Sequence, residues 1–368
     1  MSFLYTRPKV IFRHRRLLGH EIKPEYIVSA RTLSIAYTDR TKTLDFGFPY
    51  AVKDPMPDFN QPFELGFSEI VQNRAKELVA FSEQEDKPLV VFWSGGIDST
   101  LVLVELLKVV PSDSQIQVLY SRSSVEEYPL FFEKFIQPRL KHDFLSELIS
   151  YNLPNGISVT GELGDQVFGI LLTSLNEDGT DFGALKQDPK PWFMDRIAQA
   201  YQTLLSINAR QDIARYYGNI SSMEVAARVF EYMSPQFDRA PNQIRTVHDL
   251  LWWIQMSLKW QPKSLEDVST NADQHDSRHI KHFFQTDTFQ LWSYHNHKDA
   301  IKDTWLSYKW HAKDIIREYT GDDQYARVKT KHNSKQHVTQ DVPGAVAKRK
   351  RFKVLRDNNE IIRCLAHP

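Results

Sequence analysis

The chain has 368 residues, and its 46 basic side chains balance 46 acidic ones, so bulk charge gives no reason to expect nucleic acid or an anionic membrane as the main partner. A hydrophobic content of 41% is enough for a sizeable core, and the length suggests two domains or one large domain with additions. The single cysteine, Cys364, excludes an internal disulfide and fits a reducing compartment, so a soluble cytoplasmic protein is expected.

Residues 1–62 read as a small β-rich region. Met1–Val10 has basic residues without the apolar core of a signal peptide. Val10-Ile11-Phe12 and Thr32–Tyr37 have the β-branched and aromatic content of short strands. Prolines at 49, 55, 57 and 62 mark Pro49–Pro62 as a linker or surface loop. Residues 63–340 then read as one domain. Phe67, Ile70, Val71, Ala75, Leu78 and Val79 recur at helical spacing. Pro88–Trp93 is a continuous apolar run, as in a strand buried on both faces, and no run of this kind is long enough to span a bilayer. A glycine-bearing turn follows, then the apolar helix Leu101–Val109, a break at Pro111–Ser114 and a second strand at Ile116–Tyr120. Strand, helix and strand in about 30 residues make the βαβ unit of a parallel sheet, with a right-handed crossover expected. Helical periodicity returns from Pro129 to about Tyr151. Gly156–Thr160 is another short strand, and Trp192–Tyr319 reads as mostly helical. The tail, 341–368, is basic and then hairpin-like, turning at Asp357-Asn358-Asn359. The fold class expected is therefore α/β, a parallel sheet flanked by helices with a mostly helical C-terminal half.

Ser94-Gly95-Gly96-Ile97-Asp98-Ser99-Thr100 joins the first buried strand to its helix. A parallel strand delivers such a loop to the carboxyl edge of the sheet, where ligands bind in this architecture. Gly95 and Gly96 let the backbone turn sharply and approach phosphate oxygens, and the N–H groups of the following helix favour an anion. Ser94, Ser99 and Thr100 add hydroxyls. Asp98 would repel a bare phosphate, so its presence implies a bridging cation, and magnesium prefers such oxygen ligands. No Gly-x-x-x-x-Gly-Lys-Ser/Thr stretch occurs, which excludes the kinase or GTPase type of phosphate loop.

Ser-Gly-Gly-x-Asp-Ser after a buried strand resembles the signature of the N-type ATP pyrophosphatases. That group includes asparagine synthetases, GMP synthetases, NAD synthetases and tRNA-modifying enzymes. The resemblance implies a five-stranded fold of the adenine nucleotide alpha-hydrolase kind, with ATP and Mg2+ as cofactors. It also implies adenine held at Val118 or Leu119 on the second strand, and pyrophosphate held by the Ser94–Thr100 loop while a nucleophile attacks the α-phosphorus.

A second glycine-rich turn, Thr160-Gly-Glu-Leu-Gly-Asp-Gln-Val-Phe-Gly169, also follows a strand and carries two carboxylates, Glu162 and Asp165. If its strand lies beside the first, both loops open on one edge, Asp98 and Asp165 share a magnesium ion, and Glu162 is left as a base or substrate-orienting group. The stretch resembles the Ser-Gly-Glu-Gly-Ser-Asp-Glu-Leu-Phe-Gly segment of asparagine synthetases and their β-lactam-forming and peptide-cyclising relatives. Gly161, Glu162, Asp165, Phe168 and Gly169 match; Leu163, Gly164 and Gln166 depart, the last removing a negative charge. Further on, Lys313-Asp-Ile-Ile-Arg317 followed by Arg327-Val-Lys329 resembles the family's late segment, whose final lysine is catalytic. The role is carried onto Lys329, with Lys331 as the alternative bearer.

Other features carry less. His275, His279 and His282 have spacing that invites zinc, but surface or pocket histidines are the favoured reading. The tryptophans between 252 and 310 are expected in the core, and Lys348–Arg351 in a solvated tail. Neither an N-terminal nucleophilic cysteine after Met1 nor an Asn-Gly-Glu stretch precedes the first loop, so no glutaminase activity is expected. The resemblance thus implies an AMP-forming amide ligase that joins a small-molecule carboxylate to ammonia or an amine, with nitrogen supplied free, by the substrate or by a separate glutaminase. A nucleobase- or tRNA-modifying ATP pyrophosphatase is the alternative, supported by the basic tail. A non-catalytic nucleotide-binding relative is the third reading, kept open by Leu163 and Gln166.

Overall fold

Leu89-Val-Val-Phe92 is β1, and its first three side chains are fully buried. The computed structural model describes residues 3–6, 16–17, 19–144, 155–169, 180–206, 211–271, 277–329, 351–356 and 361–365. These divide into two compact units, one from within 60–168 and 270–349, the other from within 1–59, 169–269 and 350–368.

The first of these units is an α/β layer structure. Helix α1 (Phe67–Gln84) precedes β1 and buries the six apolar residues whose spacing predicted it. Helix α2 (Ile97–Val109) follows β1, starting at Gly96 and ending where Val110 turns extended before Pro111. Next come β2 (Ile116–Tyr120), α3 (Arg122–Glu127), β3 (Lys141–Phe144), β4 (Ile157–Thr160) and the single turn α4 (Gly164–Val167). The chain later returns with β5 (Ile280–His282), α5 (Asp287–Asn296), α6 (Trp310–Thr320) and α7 (Asp323–Val328). The strands form one sheet in the order β3-β2-β1-β4-β5, every neighbouring pair parallel. Leu89 lies opposite both Ile116 and Ile157, and Val91 opposite both Val118 and Val159, so a row of branched side chains crosses the middle of the sheet. α1 and α6 both pack on α2.

Two strands differ from the sequence reading. The helix expected from Pro129 to about Tyr151 stops after a π-helical turn, Phe132–Ile136, and β3 follows; Tyr151 itself lies outside the described residues. β5 interrupts the expected helical stretch. Both are edge strands of mixed polarity, so neither shows the apolar run that betrays a central strand.

In the other unit, Thr32–Tyr37 is not a strand: Thr32 ends the helix Pro24–Thr32, which begins with proline at its first position. The residues after it are held as irregular chain, with the Tyr26 hydroxyl donating to the Tyr37 carbonyl and Tyr26, Tyr37 and Phe46 packed ring on ring. β-Branched and aromatic composition here serves burial, not a ladder. Val10–Phe12 lies outside the described residues. Pro49–Pro62 has neither helix nor strand beyond a single bridge at Tyr50. Arg40 anchors this stretch by donating to the carbonyls of Asp54, Pro55 and Met256. Helices Pro189–Ser206, Ser222–Phe237 and Val247–Ile254 belong to the body of the unit, the last two started by capping boxes. Phe3–Thr6, Arg351–Arg356 and Ile361–Leu365 form an antiparallel sheet whose turn residues, 357–359, lie outside the described ones. Among the described residues no helix is long and apolar enough to cross a membrane.

Candidate functional site

The carboxyl ends of β1 and β4 lie side by side, so the two glycine-rich loops meet. The first loop is tied back on itself. The Ser94 N–H donates to the Ser99 hydroxyl at 3.0 Å, the two serine hydroxyls are 3.0 Å apart, and the Gly96 N–H reaches the Ser94 hydroxyl at 3.3 Å. Thr100 is turned inward, accepting from the Trp93 indole at 3.0 Å. Gly95 has φ +75°, and a Cβ there would stand 2.3 Å from the Ser124 carbonyl oxygen. Only glycine meets both conditions. The pressing surface is α3, whose Glu127 also lies against Gly95 and Gly96.

The second loop closes on Asp98. A Cβ on Gly161 would lie 2.9 Å from the Ser99 nitrogen, and one on Gly164 would lie 2.5 Å from the Asp98 carboxyl carbon. Between them Leu163 is buried at φ +74°, a left-handed conformation that costs an ordinary residue about 1–2 kcal/mol. Asp165 stands in the first turn of α4. The Glu162 N–H donates to the Thr160 hydroxyl at 3.3 Å, and that hydroxyl pairs with Nδ1 of the buried His282 at 2.7 Å.

Asp98 and Asp165 do converge on one cation, and it is the ammonium of Lys309. Its Nζ lies 2.6 and 2.5 Å from the two oxygens of Asp98 and 2.8 Å from Oδ1 of Asp165. Lys309 is fully buried, caps α6 in a left-handed conformation (φ +60°), and donates its N–H to the Ala300 carbonyl. Burial pushes this lysine down, but the charges and hydrogen bonds of Asp165 and Asp98 outweigh it and hold the pKa above the ordinary value. Burial, and then the same two carboxylates, raise the neighbouring Tyr308 phenol, whose oxygen is buried without a hydrogen-bond partner.

Two more lysines gather here. Nζ of Lys329 lies 2.8 Å from Oε1 of Glu127; burial lowers its pKa and Glu127 opposes the shift. Lys313, one turn into α6, is buried with its ammonium on the Leu306 carbonyl at 2.6 Å. Burial first, and then the nearby charges of Lys309 and Lys329, push it down to about 8.

The site therefore brings together Ser94–Thr100, Gly161, Glu162 and Asp165, with Lys329 joined to the first loop through Glu127. Val118 and Leu119 are buried in the ladder of β2, and the Leu119 carbonyl accepts from Trp93. Lys331 and His275 lie outside the described residues. His279 turns to Glu85 and His282 to Thr160, so these two histidines do not converge. Sequence reading missed Lys309 and Glu127. Lys309 is 211 and 144 positions from its carboxylates, and no local spacing marks it.

Magnesium is a fair match for this donor set. Three carboxylate oxygens already face a single point, and the glycines at 161 and 164 leave Asp98 the room to face it. Among the described residues no group of three or more His, Cys, Asp or Glu could hold a metal. A divalent ion held by two carboxylates must draw its remaining oxygens from phosphate and water, the habit of magnesium at nucleotide sites.

No protein-family model matches the chain, and no curated protein matches it.

Proposed function

We propose that the protein is an AMP-forming amide ligase: it uses ATP to activate a carboxylate as an acyl-adenylate and passes the acyl group to ammonia or an amine. The observation that carries this reading is the closure of the second glycine loop on Asp98 of the first, with Asp165 turned to the same point. The kinase and GTPase loops lack that two-loop pair of carboxylates.

Asp98 and Asp165 are the residues to hold magnesium, which when bound neutralises charge on the phosphate oxygens. The N–H groups opening α2 receive the pyrophosphate. A carboxylate oxygen of the substrate attacks the α-phosphorus, and the bond to the pyrophosphate oxygen breaks, the pair leaving with pyrophosphate. Lys329 and Lys313 supply positive charge in a largely water-excluded place as negative charge grows, first on the α-phosphoryl group and then on the acyl oxygen. The amine attacks the acyl carbon, AMP leaves with the carboxyl oxygen, and Glu162 takes the proton from nitrogen or orients the substrate. Ammonia arrives free or from a separate glutaminase; an amine of the substrate serves equally.

The test is AMP and pyrophosphate release from Mg-ATP with ammonium and a panel of carboxylates headed by aspartate. Release that needs one acid, and falls at least about 100-fold in Asp98→Asn and in Lys329→Ala, supports the ligase. Release only with bulk tRNA would transfer the protein to the RNA-modifying pyrophosphatases. Nucleotide binding without turnover in any mixture would make it a non-catalytic relative.

A further inference from the structure

An ammonium group has three N–H donors. Lys309 places its nitrogen within hydrogen-bond distance of three carboxylate oxygens, both of Asp98 and one of Asp165. The group is enclosed: the Lys309 side chain is 1% exposed, and the rings of Phe168 and Tyr308 lie 5.4 and 5.5 Å from its nitrogen. Its backbone holds an uncommon left-handed conformation at the N-terminus of α6, a strain that persists only where the surroundings impose it. The fold thus delivers a fully bonded cation to the two carboxylates proposed for magnesium.

A magnesium ion competes for the same oxygens. Two carboxylates already face one ammonium, and adding a dication beside it sets three positive charges against these two negative ones, next to an ammonium that is itself shut off from water. Magnesium also gives up its water reluctantly. A polyphosphate changes the balance, because its oxygens offer the ammonium a new anionic partner and the ion further ligands. We propose that Lys309 is the resident cation of the nucleotide-free site, and that magnesium enters only together with a polyphosphate that takes over the Lys309 ammonium. The choice of ATP as that polyphosphate rests on the ligase reading; the resident-cation role does not.

The experiment is a titration of MgCl2 into the nucleotide-free full chain, followed by calorimetry and by thermal denaturation, for wild type and Lys309→Met. Methionine keeps the length of the apolar stem and removes the charge. Wild type is expected to give neither binding heat nor a rise in Tm with magnesium alone, and a clear rise with magnesium and ATP together. Lys309→Met is expected to take up magnesium alone, at least about tenfold more tightly than wild type, as a carboxylate pair freed of its counter-ion should. Wild type that binds magnesium alone as tightly as with ATP overturns the proposal, and this comparison decides even if the variant does not fold. A folded Lys309→Met protein that ignores magnesium overturns it as well. A variant that folds only when magnesium is added supports it. If Mg-ATP fails to bind wild type while Lys309→Met takes up magnesium alone, the ligase reading fails and the resident-cation role stands.

Discussion

Oε1 of Glu127 accepts from the Lys329 ammonium at 2.8 Å and lies 3.6 Å from where a Cβ on Gly96 would stand. One carboxylate therefore fixes the late lysine against the first loop. Burial lowers the Lys329 pKa, and Glu127 holds it up. If the ammonium form is the active one, activity falls as pH rises through that pKa. Glu127→Gln removes the opposing charge, the pKa drops further, and the alkaline limb of kcat/KM for AMP release moves to lower pH. A profile that keeps its alkaline limb would detach Glu127 from the protonation of Lys329.

Gly164 is the tightest seam between the two loops, since a Cβ there would stand 2.5 to 2.9 Å from the three atoms of the Asp98 carboxylate group. Gly164→Ala must displace that carboxylate and disturb its pair with Lys309. The expected cost is about 1–3 kcal/mol in urea denaturation, with AMP release reduced at least about tenfold by the misplaced group. Gly183→Ala, where a Cβ meets nothing within 4 Å, is the control and should leave both unchanged.

How much of this was legible in the sequence follows from burial. β1, β2 and β4 are the three interior strands, flanked on both sides; β1 announced itself as an apolar run, and β2 and β4 as short strands rich in β-branched residues. β3, Lys-His-Asp-Phe, and β5, Ile-Lys-His, are the edges, where exposure permits polar side chains and the pattern fades. The loops were legible because glycine, serine and aspartate are demanded locally by a strand-to-helix turn. Lys309 was not, because what defines it is a meeting with Asp98 and Asp165 across long sequence separations. Glu127 was hidden in the same way: its partner Lys329 comes 202 residues later. Thr32–Tyr37 failed for the opposite reason, since burial of aromatic and branched residues needs no strand partner.

Leu163 sets strain against packing. Its left-handed backbone costs about 1–2 kcal/mol, while truncating a buried leucine costs about 2–5 kcal/mol. The side chain is only 1% exposed, so packing should win. Leu163→Gly is expected to destabilise by about 1–3 kcal/mol, read as a lower urea midpoint at unchanged slope. A rise in the midpoint would mean that the strain outweighs the burial.

Lys313 makes the sharpest separation between what holds the fold and what serves the site. It is buried, its ammonium donates to the Leu306 carbonyl, and its pKa is pushed down to about 8, below that of an unfolded lysine. Below about pH 8 both states are protonated and the folded protein carries the whole penalty of the buried charge. Between about 8 and 10 the unfolded chain holds more protons, so stability should rise with pH in that window. Lys313→Met removes the penalty. At pH 7 the variant should be more stable than wild type by on the order of 1–3 kcal/mol, and the gap should close as the pH approaches 10. A charge kept at such a cost beside Lys309 and Lys329 has its use in meeting an anion, so the same substitution should reduce AMP release while raising Tm. Thermal denaturation at pH 7 and at pH 10, set beside turnover, separates the cases. Loss of both stability and turnover would make the lysine a structural strut, and a gain in stability with turnover intact would take it out of the phosphate site.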